Sequence, residues 1–187
     1  NVNASPSLTN VLIAGNTATT NSGAVFQGGG TAQFTNVTIA RNIPDAVTIS
    51  SGGIDLKNSI VYGGVTGTYT AQYSIVEGSS SSSNGNINST GIVDANIFIN
   101  PSMGNFQLKP TSLVVNSGND ALFPGLNSSS KDLAGNNRKL GTHIDMGAYE
   151  FGIFPNANGI VYVKDTATGV GNGKDWANAT SDLQGAI

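Results

Sequence analysis

A repeated stretch decides the fold, and it reads Leu8-Thr9-Asn10-Val11-Leu12-Ile13-Ala14-Gly15-Asn16 in its first copy and Phe34-Thr35-Asn36-Val37-Thr38-Ile39-Ala40-Arg41-Asn42 in its second. A third copy, Leu56-Lys57-Asn58-Ser59-Ile60-Val61-Tyr62-Gly63, follows after a slightly shorter interval, and a shorter echo reads Tyr73-Ser74-Ile75-Val76-Glu77-Gly78. Self-similarity at a period of roughly 20 to 50 residues indicates a repeat architecture.

Within each copy, inward apolar residues alternate with small polar ones, which is typical of short strands. Glycine-rich breakers such as Gly28-Gly29-Gly30 and Gly52-Gly53 separate the copies, and no sustained helical period occurs before residue 176. One repeat cannot bury its apolar face alone, so repeats must stack and each strand must pair with its equivalents. The sequence therefore predicts an all-β fold, a parallel β-helix with three short strands and three turns per repeat.

The composition agrees with stacking and excludes several partners. Charged residues are 10% of the chain, against about 25% in an average soluble domain, and like charges stacked about 4.8 Å apart would repel. The net charge is -3, with only eight Lys and Arg residues and no basic cluster, so no nucleic-acid partner is expected. No apolar run approaches the roughly 20 residues of a membrane helix, so no membrane insertion is expected. Disulfides are excluded because the chain has no cysteine.

Asn10, Asn36 and Asn58 occupy one repeat position, just before a strand. Stacked amides at that position would satisfy backbone groups of the turns, so we predict a structural asparagine ladder. The functional alternative is that these amides face outward and bind sugar.

The second half carries three motifs. They read Asn96-Ile97-Phe98-Ile99-Asn100-Pro101-Ser102-Met103-Gly104-Asn105-Phe106-Gln107-Leu108, then Lys109 to Gly118, and then Asp132-Leu133-Ala134-Gly135-Asn136-Asn137-Arg138 with Gly141 and Asp145-Met146-Gly147-Ala148-Tyr149-Glu150. Together they resemble bacterial right-handed parallel β-helix surface proteins of the choice-of-anchor Q and polymorphic outer-membrane-protein type. Leu113 stands where that group has a proline. The resemblance implies a right-handed β-helix, found in tandem-repeat adhesins or extracellular fibres.

The third motif resembles the element that closes such helices, and it is the most specific signal in the chain. We expect a cap in which Tyr149, Phe151 and a turn at Gly147 cover the last strand edges. Arg138, Asp145 and Glu150 are predicted to form an ion cluster that holds this cap. The alternative is a catalytic carboxylate pair with an arginine, as in glycoside hydrolysis.

A new unit is expected after the cap. The segment 160–187 resembles the opening of another β-helix, with a first strand at 160–163, a glycine-rich loop, a buried Trp176 and a short capping helix. Thr180 or Ser181 would N-cap that helix, with Leu183, Ala186 and Ile187 on its apolar face. We therefore divide the chain into 1–152 as the last repeats and cap of one unit, 153–159 as a linker, and 160–187 as the start of the next.

Few residues carry the chemistry of an active site. His143 is the only histidine and the carboxylates are scattered, so no catalytic, cofactor-binding or metal site is expected. Asp165-Thr166-Ala167 resembles the short O-glycosylation motif of Bacteroidota, which makes Thr166 a candidate for modification.

The expected function is a structural or adhesive repeat module of a large secreted cell-surface or filament-forming protein. Its partners would be neighbouring copies of the same repeat, packed head to tail. One alternative is a carbohydrate-binding module for surface glycans, for which Tyr62, Tyr69 and Tyr73 are the candidate aromatic residues. A polysaccharide lyase or hydrolase is the other alternative, and it rests on analogy of fold alone.

Overall fold

The computed structural model describes residues 3–183 and 186, and their secondary structure is mostly β. Strands of the first half are β1 (Ser7–Thr9), β2 (Leu12–Ala14), β3 (Val25–Thr35), β4 (Thr38–Ala40), β5 (Val47–Lys57), β6 (Ile60–Val61), β7 (Val65–Thr66), β8 (Tyr69–Gln72) and β9 (Ile75–Val76). Later elements are helix α1 (Asp94–Ile97) and strands β10 (Phe98–Asn100) and β11 (Asn105–Leu108). Short 3-10 turns cover Ser83–Gly85, Pro101–Met103 and Asp120–Leu122. No helix among the described residues has the length and apolar character that crossing a membrane requires.

The nine strands of the first half form two parallel sheets. The first sheet has the order β1-β3-β5, and both β7 and β8 pair with β5; the second has the order β2-β4-β6-β9. Each repeat thus contributes strands to both sheets. All these pairings are parallel, which confirms the all-β class with parallel strand pairing.

The strand register follows the repeat alignment. Ile13 pairs with Ile39, Ile39 with Val61, and the neighbouring Ile60 with Ile75, so the sequence separation of equivalent positions falls from 26 to 22 and then to 15. Thr9 pairs with Thr35 and Thr35 with Lys57, which places Asn10, Asn36 and Asn58 at equivalent positions one residue later. The repeats therefore shorten along the chain while the register is kept.

The asparagines turn the chain from one sheet into the other. Asn10, Asn36 and Asn58 have φ angles of 54°, 52° and 48°, in the left-handed region that asparagine tolerates better than most side chains. Tyr73 occupies the equivalent place in the fourth repeat, also with a φ of 48°. This shared backbone conformation explains why the same residue type recurs at the corner.

The interior between the two sheets is filled by the alternating apolar residues. Its buried members come from the second, third and fourth repeats, and they include Phe34, Val37, Ile39, Leu56, Val61 and Val76. Leu8, Val11 and Ile13 of the first repeat are only partly buried against this core. The inward face predicted from alternation is therefore the actual core.

A second apolar layer covers the outer face of the second sheet. Ile60 and Tyr62 pack there against residues of the later chain, namely Ile97, Phe98, Phe106, Leu108, Val114 and Met146. Here β10 and β11 form an antiparallel pair, and the Phe98 and Phe106 rings meet edge to face at 5.4 Å between centroids. The second sheet is thus buried on both faces, which accounts for the continuous apolar run at Ile60-Val61-Tyr62.

The last segment differs from the expected opening of a new unit. No strand forms at 160–163; Val163 makes a single parallel bridge with Thr180. Trp176, expected to be buried, is 66% exposed and meets Tyr162 edge-on at 5.0 Å. A buried tryptophan needs a surface that covers its ring, and most of the Trp176 side chain stays open to solvent.

The predicted capping helix lies partly outside the described residues, since Gln184, Gly185 and Ile187 are not among them. Residues 180–183 form a bridge and bends instead of helix, and Thr180 Oγ1 accepts a hydrogen bond from the Asp182 amide at 3.0 Å. The proposed linker contacts the segment that follows it, because the Phe154 amide donates to the Asn172 carbonyl at 2.9 Å. The division at 152 and 160 stays a prediction.

Equivalent isoleucines in the first and second repeats offer a direct test of the core. Ile39 is fully buried, so Ile39→Ala should lower the free energy of unfolding by about 3 kcal/mol through lost burial and a cavity. Ile13→Ala is the matched control at the paired position, and its loss should be about half as large or less because Ile13 is only partly buried. Urea denaturation of both variants measures the difference, and equal losses would contradict this assignment of the core.

Candidate functional site

The three corner asparagines bind the backbone of the later chain. Asn36 Nδ2 donates to the carbonyl oxygens of Asp145 at 2.9 Å and Gly147 at 3.2 Å. Asn58 Nδ2 donates to the Asn119 carbonyl at 3.0 Å, while Asn58 Oδ1 accepts from the Asn119 amide at 2.8 Å. The corner amides thus join the repeats to the covering layer.

Contact between the asparagines themselves is limited. Asn58 Nδ2 lies 3.4 Å from Asn36 Oδ1, a long hydrogen bond, and Asn10 Nδ2 instead donates to the Lys131 carbonyl at 2.7 Å. The backbone groups of the covering segment lose water when it packs here, so they take most of the amide hydrogen bonds. The predicted ladder is therefore a row of amides that mainly face another segment, and Asn36 and Asn58 are fully buried beneath it.

Arg138 is the centre of the closing motif. Its side chain is fully buried, and Nη1 donates to Asn10 Oδ1 at 3.3 Å and to the Gly147 carbonyl at 3.2 Å. Nη2 donates to the carbonyls of Asp145 at 3.1 Å and Tyr149 at 3.4 Å and to Glu150 Oε2 at 2.7 Å. The guanidinium therefore shapes residues 145–150 into a loop around itself and ties that loop to the first corner.

Two acidic residues of the motif are buried inside this loop. Glu150 Oε2 also accepts from the Asp145 amide at 3.1 Å, so one carboxylate oxygen joins both ends of the loop. The Asp145 carboxylate accepts the amides of Asn116 at 2.6 Å and Phe151 at 2.5 Å. Of the two, Glu150 alone forms an ion pair with Arg138, and Asp145 binds backbone.

Gly147 and Tyr149 place the loop against the second sheet. Gly147 has a φ of 87°, and a Cβ there would come within 2.6 Å of Thr38 Oγ1 and of Ile60 Cδ1. The Ala148 amide donates to Thr38 Oγ1 at 2.9 Å, and Tyr149 packs beside the outer apolar layer. Because β4 and β6 are central strands, the motif lies along the side of the sheet and does not cover the terminal edge, which differs from the expected cap.

Burial perturbs the two carboxyl groups. Loss of water raises the pKa of Glu150 above its ordinary value, and the neighbouring Asp145 raises it further while Arg138 opposes the shift. Burial likewise raises the pKa of Asp145, against the lowering effect of the two amides that it accepts. Two carboxylates beside one guanidinium in a water-poor site favour retention of a proton by the pair.

The sequence alone did not single out Asp132, which is buried and completes the cluster. Asp132 Oδ2 accepts the Glu150 amide at 2.9 Å, and Oδ1 accepts the Asn136 amide at 2.8 Å. Its signal is present in the motif, where Asp132 and Asn136 are four residues apart and bracket a glycine turn. The role of Asp132 as a hydrogen-bond partner depends on residue 150 lying next to it in the fold, which the local sequence does not indicate.

A second row of polar side chains links the repeats and was also missed. The Val37 amide donates to Ser59 Oγ at 3.1 Å, the Ser59 amide to Ser74 Oγ at 3.0 Å, and the Ser74 amide to Asn86 Oδ1 at 3.0 Å. The position after each corner therefore changes from valine in the second repeat to serine in the third and fourth. The change from valine to serine is visible in the aligned copies of the sequence. Ser59, which forms two of these hydrogen bonds, is fully buried.

Comparisons with protein-family models, with curated proteins and with solved structures find no match for this chain. The resemblance drawn from the closing motif therefore stays a hypothesis. What the site does is inferred from its own contacts. The arginine, both acids and two of the three asparagines have buried side chains that bind other parts of the same chain.

Replacement of Arg138 should strongly destabilise the protein. Arg138→Met would leave the Glu150 carboxylate and several carbonyls buried without their partner, which typically costs about 3 to 5 kcal/mol of unfolding free energy. Arg41→Met is the matched control, because Arg41 pairs with Asp94 at 2.6 Å but its side chain is 42% exposed, and its loss should stay below about 1 kcal/mol. Urea denaturation checks both values, and similar small losses in the two variants would refute the role assigned to Arg138.

Stability should fall as the pH rises from about 5 to about 8. Since the pKa values of Asp145 and Glu150 are raised in the folded state, the folded protein binds more protons than the unfolded chain in this range. Their contribution is fully present below the unfolded pKa of about 4 and is lost as the pH passes the raised folded pKa values. Unfolding free energies measured across this range should show the decline, and Glu150→Gln should flatten it. Stability that increases with pH in the parent protein would be the contrary result.

Proposed function

We propose that this chain is part of a right-handed parallel β-helix that serves as a structural or adhesive repeat module of a large secreted cell-surface or filament-forming protein. The observation that carries the proposal is the parallel register of two sheets at successive repeats, with sequence separations of 26, 22 and 15 between equivalent positions. Right-handedness follows from the strong chirality preference of parallel crossover connections. Each repeat is then one turn of a solenoid, bonded to the next along two faces.

The covering layer supports a mechanical role. Residues 144–150 bind the second and third repeats at once, through Asn36, Thr38 and the carbonyl of Asn58, which accepts the Gly147 amide at 2.7 Å. A side layer that spans several repeats resists their separation, because opening one interface must also break contacts at its neighbour. This coupling between neighbouring repeat interfaces suits a module that transmits mechanical force from one unit to the next.

The enzyme alternative receives little support from the candidate carboxylates. Asp145 is 1% exposed and Glu150 is 5% exposed, and both side chains bind Arg138 or backbone amides. A glycosidic bond must lie between its two carboxyl groups during hydrolysis, so a pair enclosed by its own chain is poorly placed for a polymer. The pair is better explained as part of the clamp around Arg138.

The carbohydrate-binding alternative depends on aligned, exposed aromatic rings. Tyr62 is 3% exposed and its hydroxyl lies 3.3 Å from the Ile92 carbonyl, so its ring is unavailable to a sugar. Tyr73 lies beneath Gly85, where a Cβ would come within 2.6 Å of the ring. Tyr69 lines a surface cleft with Gln72 and Asn84, so of the three candidate tyrosines it alone lies at a surface cleft.

Exposure of Thr166 agrees with its proposed modification. The residue lies in an exposed turn beside Asp165, where a glycan would meet no buried surface. We propose glycan attachment at Thr166 and an extracellular location as further features of a secreted surface protein.

Particle shape tests the proposed function. Two, three and four copies of the 187-residue chain joined in tandem should give elongated particles in electron microscopy, with a maximum dimension that grows in proportion to copy number. The single chain serves as the length standard. Compact particles whose longest dimension does not grow with each copy would overturn the proposal of end-to-end units.

A further inference from the structure

The two ends of the paired sheets are not alike. Strands β1 and β2 form one end, in the first repeat, and β7, β8 and β9 form the other. An unpaired strand edge presents a row of amides and carbonyls that can bind another strand. The state of each edge therefore decides where a further repeat could add.

The edge at β8 and β9 is closed by the chain that follows it. The Tyr73 amide donates to the Asn84 carbonyl at 2.9 Å, and the Ile87 amide donates to the Ser74 carbonyl at 3.0 Å. Asn86 adds a side-chain bond on each side, accepting from the Ser74 amide and donating to the Ala71 carbonyl at 2.8 Å. This segment occupies the place that another repeat would take.

The edge at β1 and β2 is open among the described residues. The pairings of β1 and β2 are with β3 and β4, on one side. The Asn10 and Gly15 amides point to that side, where they bind the carbonyls of Thr35 at 3.2 Å and Ala40 at 3.4 Å. Because successive amides of a strand point in opposite directions, those of Thr9 and Ala14 face the open side.

The apolar rows of the core also reach this edge. Leu8, Val11 and Ile13 are partly buried, whereas their equivalents in the next repeat, Phe34, Val37 and Ile39, are at most 1% exposed. Each row gains burial when a repeat lies on both sides of it. The first repeat therefore has one neighbouring repeat where the second has two, and the apolar rows of the core continue to the open surface.

We infer that the edge formed by β1 and β2 binds a further repeat of the same pattern, in parallel, with apolar side chains at the positions equivalent to Leu8, Val11 and Ile13. A strand pair of that kind accepts hydrogen bonds from the Thr9 and Ala14 amides and also extends the apolar rows of the core. A helix laid on the edge would cover the apolar rows but leave these amides without partners. The inference rests on the proposed β-helix and adds a direction to it. Among the described residues, both sheets are open to a further repeat at β1 and β2, whereas at β8 and β9 the following segment already pairs, with Ile87 bridging Ile75 in parallel.

An added repeat within the chain itself tests this inference. A second copy of the segment 7–32, which spans one full interval between the first two repeats, is inserted between Pro6 and Ser7. The original Thr9 and Ala14 amides then gain partners, so their hydrogen exchange should slow by about tenfold or more. Exchange of the Ile39 and Val61 amides reports whether the rest of the fold is kept.

The matched control carries Leu8→Asp, Val11→Asp and Ile13→Asp in the inserted copy only, and it should leave the original Thr9 and Ala14 amides unprotected. Unchanged exchange in the first insertion would overturn the inference. Loss of protection at Ile39 would overturn it as well, since a matching repeat must extend the core without disturbing it. This experiment and the electron microscopy of tandem copies can fail independently. Elongated tandem particles together with unprotected Thr9 and Ala14 amides would reject only the present inference. Compact tandem particles together with protected amides would reject only the end-to-end assembly of units.

Discussion

The buried guanidinium of Arg138 is the interaction on which the outer half of the structure depends. It donates hydrogen bonds to the backbone carbonyls of residues 145, 147 and 149 and to the Glu150 carboxylate. It also donates to the side-chain oxygen of Asn10, which is 128 residues away in the chain. A planar group with five donors can hold an irregular loop that has no regular backbone pairing of its own. All these bonds come from Nη1 and Nη2, and because loss of either set of partners would leave a buried charge poorly paired, the loop and the corner depend on each other.

That constraint explains how polar chemistry is used in a chain with few charges. Asp145, Glu150 and Asp132 each bind backbone amides of the same region, so the acids replace the pairing that a regular sheet would provide. The asparagines at the corners do the same for the segment from 119 to 147. Most polar groups of the closing motif are thus engaged by other parts of the same chain, and the buried Arg138 Nε and Glu150 Oε1 are the exceptions among its described side chains.

The shortening of the repeats gives the molecule a direction. A sequence separation that falls from 26 to 15 leaves progressively less chain for the turns, and the segment from 84 to 87 then closes the sheets. At the opposite end the core rows remain half covered. In the part of the chain that the structure describes, the two ends of the paired sheets thus differ: the following segment pairs with β8 and β9, while β1 and β2 pair on one side only.

The sequence by itself determined the repeat, the parallel register and the equivalence of Asn10, Asn36 and Asn58, because each follows from a local period of residue type that the strands must obey when they stack. It also marked Arg138, Gly147 and Glu150 as one motif. Only the tertiary structure decided that this motif lies along central strands, that Asp132 anchors the Glu150 amide, and that Trp176 is exposed. Those features come from contacts between segments far apart in the chain or within irregular chain, where no periodic pattern relates a residue to its partner and packing alone selects it.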